Sequence, residues 1–167
     1  MAAVIERIAS LPPDGQRVWY YPGARDHGHA DVIVRVHRRD GSSWIACLPL
    51  PRDTPLVPTD DTAPGAFVLP CGERIYLAGG VVDRDEPESW RALPLREFVR
   101  ACWSDDRTVV ALSDGVSLAV FGPAGRLLET VEFAEHRVLT VSTTAVHCGV
   151  WDPALGDEVE QDLPLRG

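Results

Sequence analysis

Residues 107–133 read RTVVALSDGVSLAVFGPAGRLLETVEF and contain three apolar segments separated by two turns. Short segments rich in Val and Leu, bounded by Gly, Pro and Asp, are typical of β-strands. Asp114-Gly115 has the residue types of a tight hairpin turn, and GPAG at 122–125 supplies a second turn. The stretch therefore predicts three consecutive antiparallel strands.

A second hairpin is predicted nearer the N-terminus. In DVIVRVH (31–37) the valines stand at every second position, so they share one face of a strand and the intervening residues share the other. Asp40-Gly41 supplies the turn, and SSWIACL (42–48) forms the returning strand. Short strands joined by tight turns, predicted both here and at 107–133, indicate an antiparallel β-protein.

The first residues follow a helical spacing instead. Val4, Ile5, Ile8 and Leu11 recur at intervals typical of a helix before Pro12-Pro13 ends the pattern, which predicts a short amphipathic N-terminal helix. We therefore expect a single all-β domain over residues 1–167, composed of antiparallel strands and one short helix.

The strands also recur at longer intervals. Leu-Pro-Leu occurs at 48–50, 93–95 and 163–165, and LETVEF (128–133) matches LPLREF (93–98) at its Leu, Glu and Phe. These matches predict repeat units of a size typical of propeller blades, interrupted by a Pro- and Asp-rich loop insertion at 51–65. The predicted units are 17–50, 66–98, 99–133 and 134–166.

The last two units resemble a known family. WSDDRTVVALSDGVSLAVFGPAGRLLETVEF (103–133) resembles a blade of a WD-repeat β-propeller, and AVHCGVWDPALGDEVEQDL (145–163) is similar to the second half of such a blade. Trp151-Asp152 stands where the family has its Trp-Asp dipeptide, with Gly156 in the following turn. The resemblance implies propeller-like or partial-propeller repeats. A two-sheet β-sandwich or barrel built from the same hairpins is the alternative.

Composition excludes several classes of function. The chain has 25 acidic against 16 basic side chains, all of them arginine, and a formal net charge of −9. Without a basic stripe we expect no binding of nucleic acid, and without a long uncharged apolar segment we expect no membrane span. The N-terminus lacks the apolar core of a signal peptide, so we expect a cytoplasmic protein. The absence of lysine indicates a GC-rich coding genome, consistent with a bacterial origin.

One short segment has the composition of a metal site. His27, His29 and Asp31 stand at every second position of RDHGHAD (25–31) and would share one face of an extended strand. The alternative is a polar hairpin loop that binds nothing. The cysteines lie far apart and form no Cys-x-x-Cys pair, which indicates buried thiols at Cys47, Cys71, Cys102 and Cys148. No catalytic motif and no cofactor site is recognised.

Two acidic clusters are either solvated faces that keep the protein soluble or surfaces that attract a basic partner. The first acidic cluster is Asp83, Asp85, Glu86 and Glu88, and the second is Asp157, Glu158, Glu160 and Asp162. Tyr20 and Trp90 are aromatic residues that could accompany them at a binding surface. The candidate partner-binding residues are therefore Tyr20, Asp85, Glu86, Glu88, Trp90, Asp157, Glu158 and Glu160.

These observations favour a non-enzymatic protein-interaction module with a basic protein partner, for example an acidic inhibitor of the immunity or antitoxin type. A small metal-dependent enzyme that uses the Asp/His cluster at 26–31 is one alternative. A structural subunit that pairs with another chain, or with itself as a homo-oligomer, through an open sheet edge is the other.

Overall fold

The computed structural model describes residues 4–13, 15–21, 32–49, 68–77, 79–95, 99–132 and 134–166. Over these residues the protein is all-β, as the sequence predicts, with its strands arranged in four sheets. Two short 3-10 turns, Pro87–Ser89 and Pro123–Gly125, are the helical elements of the described chain.

The four sheets follow one another along the chain. Sheet 1 has the order β1-β3-β4-β2 and consists of β1 (Ile5–Ile8), β2 (Val18–Tyr20), β3 (Val32–His37) and β4 (Ser43–Leu48). Sheet 2 is the antiparallel meander β5 (Val68–Cys71), β6 (Arg74–Leu77), β7 (Gly80–Asp83) and β8 (Arg91–Ala92). Sheet 3 is a second meander of β9 (Arg100–Trp103), β10 (Val110–Ser113), β11 (Ser117–Phe121) and β12 (Leu127–Glu132). Sheet 4 contains β13 (His136–Val141), β14 (Ala145–Asp152) and β15 (Asp157–Pro164).

The sheets are stacked in chain order, with a hydrophobic cluster between each neighbouring pair. Trp44 of sheet 1 and Ile75 of sheet 2 belong to the first cluster. Tyr76 of sheet 2 and Phe121 of sheet 3 belong to the second, and Val120 of sheet 3 packs with Val146 of sheet 4 in the third. Among the described residues no hydrophobic cluster joins sheet 4 to sheet 1, and a closed propeller remains a prediction.

Burial on both faces explains the apolar character of the inner strands. In β11, Ala119 and Phe121 belong to the second cluster, whereas Leu118 and Val120 belong to the third. A strand with neighbours on both sides gains from an apolar residue at every position, about 25 cal/mol per Å² of apolar area buried. The alternation predicted for β3 is also observed, because Val34 faces sheet 2 while its neighbour Ile33 faces the opposite side.

The predicted N-terminal helix is wrong. Residues Ile5–Ile8 form strand β1, which pairs antiparallel with β3. Ile5 packs against the first cluster, and Ile8 packs with Leu11 against the other face of sheet 1. Residues three apart lie on one side of a helix but on opposite sides of a strand. A strand that places one partly buried isoleucine on each of its faces therefore has the same spacing as the predicted helix.

The predicted turns occur where the sequence places them. Gly41 in the β3–β4 turn and Gly115 in the β10–β11 turn have φ of +87° and +93°, values that side chains with a Cβ rarely adopt. Sheets 2, 3 and 4 lie within the predicted units 66–98, 99–133 and 134–166. Whether those units are sequence repeats remains a prediction, and the insertion 51–65 lies outside the described residues.

Candidate interaction surface

Strand β15 forms an edge of sheet 4. Sheets 1, 2 and 3 each have four strands, whereas sheet 4 has three in the described part of the chain and ends at β15. Every residue of β15 except Leu163 is exposed. A strand of eight residues, Asp157–Pro164, is thus paired on one side with β14 and exposed along its other side.

The two faces of β15 differ in chemistry. Glu158, Glu160 and Asp162 alternate along the strand and lie on the face directed away from sheet 3, together with their cross-strand neighbours on β14. We call this outer face of sheet 4 the acidic face. The intervening residues, Val159, Gln161 and Leu163, lie on the face directed toward sheet 3, where Leu163 packs against the third cluster.

Arg137 holds one of the three carboxylates. Its Nε lies 2.8 Å from Oε2 of Glu158, and its Nη2 lies 2.7 Å from Oε1, a two-point ion pair across the sheet. The hydrogen bonds from Arg137 lower the pKa of Glu158. The side chain of Glu158 on β15 extends over β14 at Gly149 to reach Arg137 on β13. A Cβ on Gly149 would lie 2.3 Å from Cδ of Glu158. A side chain at position 149 would therefore displace the carboxylate of Glu158 from its place in the ion pair.

His147 lies between the other two carboxylates. Its Nδ1 is 2.7 Å from Oδ1 of Asp162, and its Nε2 is 3.2 Å from Oε2 of Glu160. The hydrogen bond with Asp162, with a further one to Glu160, raises the pKa of His147. When the imidazole is neutral, the three carboxylates of the acidic face are paired, within the part of the chain that the structure describes, with one cation, Arg137.

An apolar groove runs beside β15 on the opposite face. It has a volume of about 280 Å³ and is lined by Val131, Ala134, Cys148, Val150, Gln161 and Leu163. Val131 belongs to β12, the outermost strand of sheet 3, and the last four residues belong to β14 and β15. The groove, which we call the edge groove, therefore opens between the last strand of sheet 3 and the open edge of sheet 4.

Exposed apolar side chains surround the β14–β15 turn. Trp151 is 46% exposed, Leu155 is 70% exposed and Val159 is 40% exposed. Trp151 pairs across the strands with Glu158, so an aromatic ring stands beside the carboxylates on the acidic face. Exposed aromatic residues next to charged groups are common at the centres of protein interfaces.

The first acidic cluster has a different environment. It lies between β7 and β8, where the guanidinium of Arg39 forms ion pairs with Asp85 and, at 2.7 Å, with Glu73. The backbone amide of Arg39 also donates to Asp85 Oδ1 over 3.0 Å, and this bond is the main cause of the lowered pKa of Asp85. Arg39 follows β3 of sheet 1, so these contacts join sheets 1 and 2.

The aromatic residues near the first cluster pack into the structure. Trp90 is partly buried, its indole N–H donates to the carbonyl of Leu77 over 3.0 Å, and its ring lies 5.9 Å from that of Tyr21. Tyr20, which precedes Tyr21 in the chain, lies at the end of β2 and is 41% exposed. Glu86 and Glu88 are both exposed.

The sequence-predicted partner-binding residues are thus divided between sheets. Asp85, Glu86, Glu88 and Trp90 lie beside sheet 2, Tyr20 lies in sheet 1, and Asp157, Glu158 and Glu160 lie in sheet 4. Within sheet 4, Asp157 is on the opposite face from Glu158 and Glu160. Sequence analysis missed Arg137, His147 and Trp151 as parts of this surface. The alternation in EVEQD (158–162) was the signal that could have revealed it, because it places acids on one face of a strand.

The structure describes the four cysteines but not the predicted metal ligands. His27, His29 and Asp31 lie outside the described residues, and within those residues no group of three or more His, Cys, Asp or Glu could hold a metal ion. Burial raises the pKa of Cys47 to about 11, of Cys71 to about 12 and of Cys148 to about 11. These three cysteines are buried thiols, as predicted, while Cys102 is partly buried.

No model of a known protein family matches this chain, and searches of curated proteins and of solved structures found no match. Among the residues described, no helix has the length and apolar character needed to cross a membrane.

Proposed function

We propose that this protein is a non-enzymatic protein-interaction module that binds a basic protein partner through the acidic face of sheet 4. The observation that carries the proposal is the row of Glu158, Glu160 and Asp162 on an exposed edge strand, next to the exposed ring of Trp151. An aromatic side chain supplies apolar contact area, and the carboxylates select a partner of opposite charge.

The charge of the whole chain supports a basic partner. A net charge of −9 repels anions such as nucleic acids and attracts cationic proteins over distances near the Debye length, about 8–10 Å at physiological salt. An acidic inhibitor of the immunity or antitoxin type is one role that such a surface would serve, since these proteins bind their targets without chemistry of their own.

The first acidic cluster is a poorer candidate for the same role. Asp85 already binds Arg39 through its backbone and its side chain, and Trp90 already packs against sheet 1. A partner would have to displace these contacts before it could use the groups. Among the described residues, the carboxylates of the acidic face pair with Arg137 and His147, which leaves more carboxylates than cations on this face.

Capture from an extract of the host cell tests the proposal with two charge-matched variants. The acidic-face variant carries Glu158→Gln, Glu160→Gln and Asp162→Asn. The control variant removes three exposed acids elsewhere, through Glu86→Gln, Glu88→Gln and Asp105→Asn. The captured partner is then purified, and its dissociation constant is measured for the wild type and both variants.

We expect the wild type and the control variant to retain a basic protein that elutes with increasing salt. The acidic-face variant should bind it about tenfold or more weakly, because it lacks all three carboxylates that would face the cations of the partner. Equal capture by all three proteins, or capture of no basic protein by the wild type, would contradict the proposal.

A further inference from the structure

We propose that the binding segment of the partner is an extended strand that pairs with β15 as the fourth strand of sheet 4, with basic and apolar side chains in alternation. This inference rests on the proposed function and specifies how the acidic face and the edge groove are used together. It depends on the backbone groups of β15, on its two unlike faces and on the groove beside it.

The hydrogen-bonding phase of β15 determines which of its backbone groups point outward. The N–H of Leu165 donates to the carbonyl of Thr144 over 2.8 Å, which makes these two residues a hydrogen-bonded pair. In an antiparallel ladder such pairs alternate with non-bonded ones. By that alternation Val159, Gln161 and Leu163 bond to β14, whereas the N–H and C=O groups of Glu158, Glu160 and Asp162 point away from it.

Pro164 agrees with this phase. It belongs to the outward-pointing set, where the missing N–H of proline removes no bond to β14. The N–H of Glu158 donates to its neighbour Asp157 Oδ1 over 2.8 Å, so the groups that would begin an added ladder are those at Glu160 and Asp162. Chains that recognise an open edge strand use such groups for affinity and use alternate side chains for specificity.

The two faces of β15 then determine the side chains of the added strand. Residues opposite Glu158, Glu160 and Asp162 would share the acidic face, where cross-strand neighbours of opposite charge are favoured. Residues between them would project to the other face and enter the edge groove beside Val131 and Leu163. The recognised segment is therefore cationic at every second position and apolar at the positions between.

A second copy of this chain fits the edge less well. Pairing β15 with β15 would bring two rows of carboxylates together, and like charges at facing positions destabilise a sheet. Charged residues on edge strands also discourage self-association in general. Protection against self-association does not account for the apolar edge groove or for the exposed ring of Trp151. An added strand with alternating basic and apolar side chains explains both.

Synthetic peptides test the inference on the full chain. The probe is a capped peptide of about eight residues with Arg and Val in alternation, long enough to cover β15. A block peptide of the same composition, with all its Arg before all its Val, has the same charge without the alternation. Two further probes carry N-methyl groups on the alternating sequence. One set is on the Arg residues, whose N–H groups would bond to β15 in an added antiparallel strand, and the other set is on the Val residues.

We expect the alternating peptide to bind about tenfold or more tightly than the block peptide in a fluorescence anisotropy titration. Methylation at the Arg residues should abolish this difference in affinity, and methylation at the Val residues should preserve most of it. In the complex with the unmethylated alternating peptide, the backbone amides of Glu160 and Asp162 should exchange hydrogen more slowly. If both unmethylated peptides bind equally and both lose binding with the acidic-face variant, strand addition is overturned while the proposed function stands.

If neither peptide binds at low salt, strand addition is overturned and the proposed function loses its cationic ligand as well. A mass that doubles with protein concentration, together with slow exchange at Glu160 and Asp162 in the protein alone, would identify a second copy as the occupant and would also overturn the inference.

Discussion

The two acidic clusters look alike in sequence and differ in the folded protein. In the first, at 83–88, Arg39 of sheet 1 binds Asp85 and so joins two sheets, while Glu86 and Glu88 are exposed. The second, at 157–162, lies on the edge strand of a sheet with no further strand beyond it in the described chain. The difference shows that surroundings rather than composition decide whether an acidic segment stabilises the fold or is available to a partner.

The tryptophans beside the clusters give the largest expected contrast. Trp90→Ala removes a ring that packs on Tyr21 and an indole N–H that bonds to Leu77, so we expect a loss of about 3 kcal/mol in the free energy of unfolding. Trp151→Ala removes a ring that is 46% exposed and should change the free energy of unfolding by less than about 0.5 kcal/mol. Denaturant titration of both variants checks this, and equal losses would refute the division of roles.

His136 gives the next largest effect, at the junction between sheets 3 and 4. Its Nδ1–H donates to the carbonyl of Ala134 over 3.1 Å, and its Nε2 accepts from the hydroxyl of Ser113 over 2.9 Å. His136→Ala leaves the hydroxyl of buried Ser113 without its acceptor and removes the bond to the carbonyl of Ala134, so it should cost about 1–3 kcal/mol.

Burial lowers the pKa of His136, so the folded protein favours the neutral ring. The stability contributed by the neutral imidazole is present above about pH 6.5, the pKa of histidine in the unfolded chain, and is lost as the pH falls below that value. Denaturation of the wild type and His136→Ala at pH 8 and pH 5 should show a larger difference at pH 8. A difference that grows toward pH 5 would contradict this environment.

Asp85 tests the structural role of the first cluster through pH. The backbone amide and the guanidinium of Arg39 lower its pKa, so its stabilising effect is present above the unfolded carboxyl pKa of about 3.9 and is lost as the pH falls through the folded value. Asp85→Asn should therefore lower the denaturation midpoint at pH 7 and leave it nearly unchanged at pH 2. Glu160→Gln on the acidic face serves as the control and should lower it less at pH 7.

His147 gives the smallest effect and the opposite pH dependence from His136. Hydrogen bonding to Asp162 raises its pKa, so its stabilising effect is complete below the unfolded pKa of about 6.5 and is lost as the pH rises through the folded value. His147→Gln should destabilise the protein slightly at pH 5.5 and leave it unchanged at pH 9. Destabilisation that is greater at pH 9 would show that the carboxylates do not hold the protonated ring.

Local sequence signals predicted the strands and turns well. Asp40-Gly41 and Asp114-Gly115 identified two hairpins because a tight turn needs glycine at its left-handed position. The N-terminal helix failed because Ile5 and Ile8 serve two different clusters on the two faces of one strand. Spacing alone does not distinguish one broad helical face from two strand faces when both are buried.

The candidate surface could be predicted only in part. The sequence shows that Glu158, Glu160 and Asp162 share a face if the segment is a strand. It does not show that Arg39 neutralises Asp85, because these residues are far apart in sequence and meet only when sheets 1 and 2 stack. The open edge of β15 could not be predicted for the same reason, because strand pairing involves residues far apart in sequence. No local pattern reveals whether another strand will pair with β15.

Binding of one cationic ligand by the two charge-matched variants separates the effect of the acidic face from the effect of net charge. The ligand is the alternating Arg/Val peptide, titrated at low salt into the wild type, the acidic-face variant and the control variant. The account predicts that the acidic-face variant raises the dissociation constant about tenfold or more, whereas the control variant stays within about twofold of the wild type. Equal weakening by both variants would show that net charge, and not the acidic face of sheet 4, determines binding.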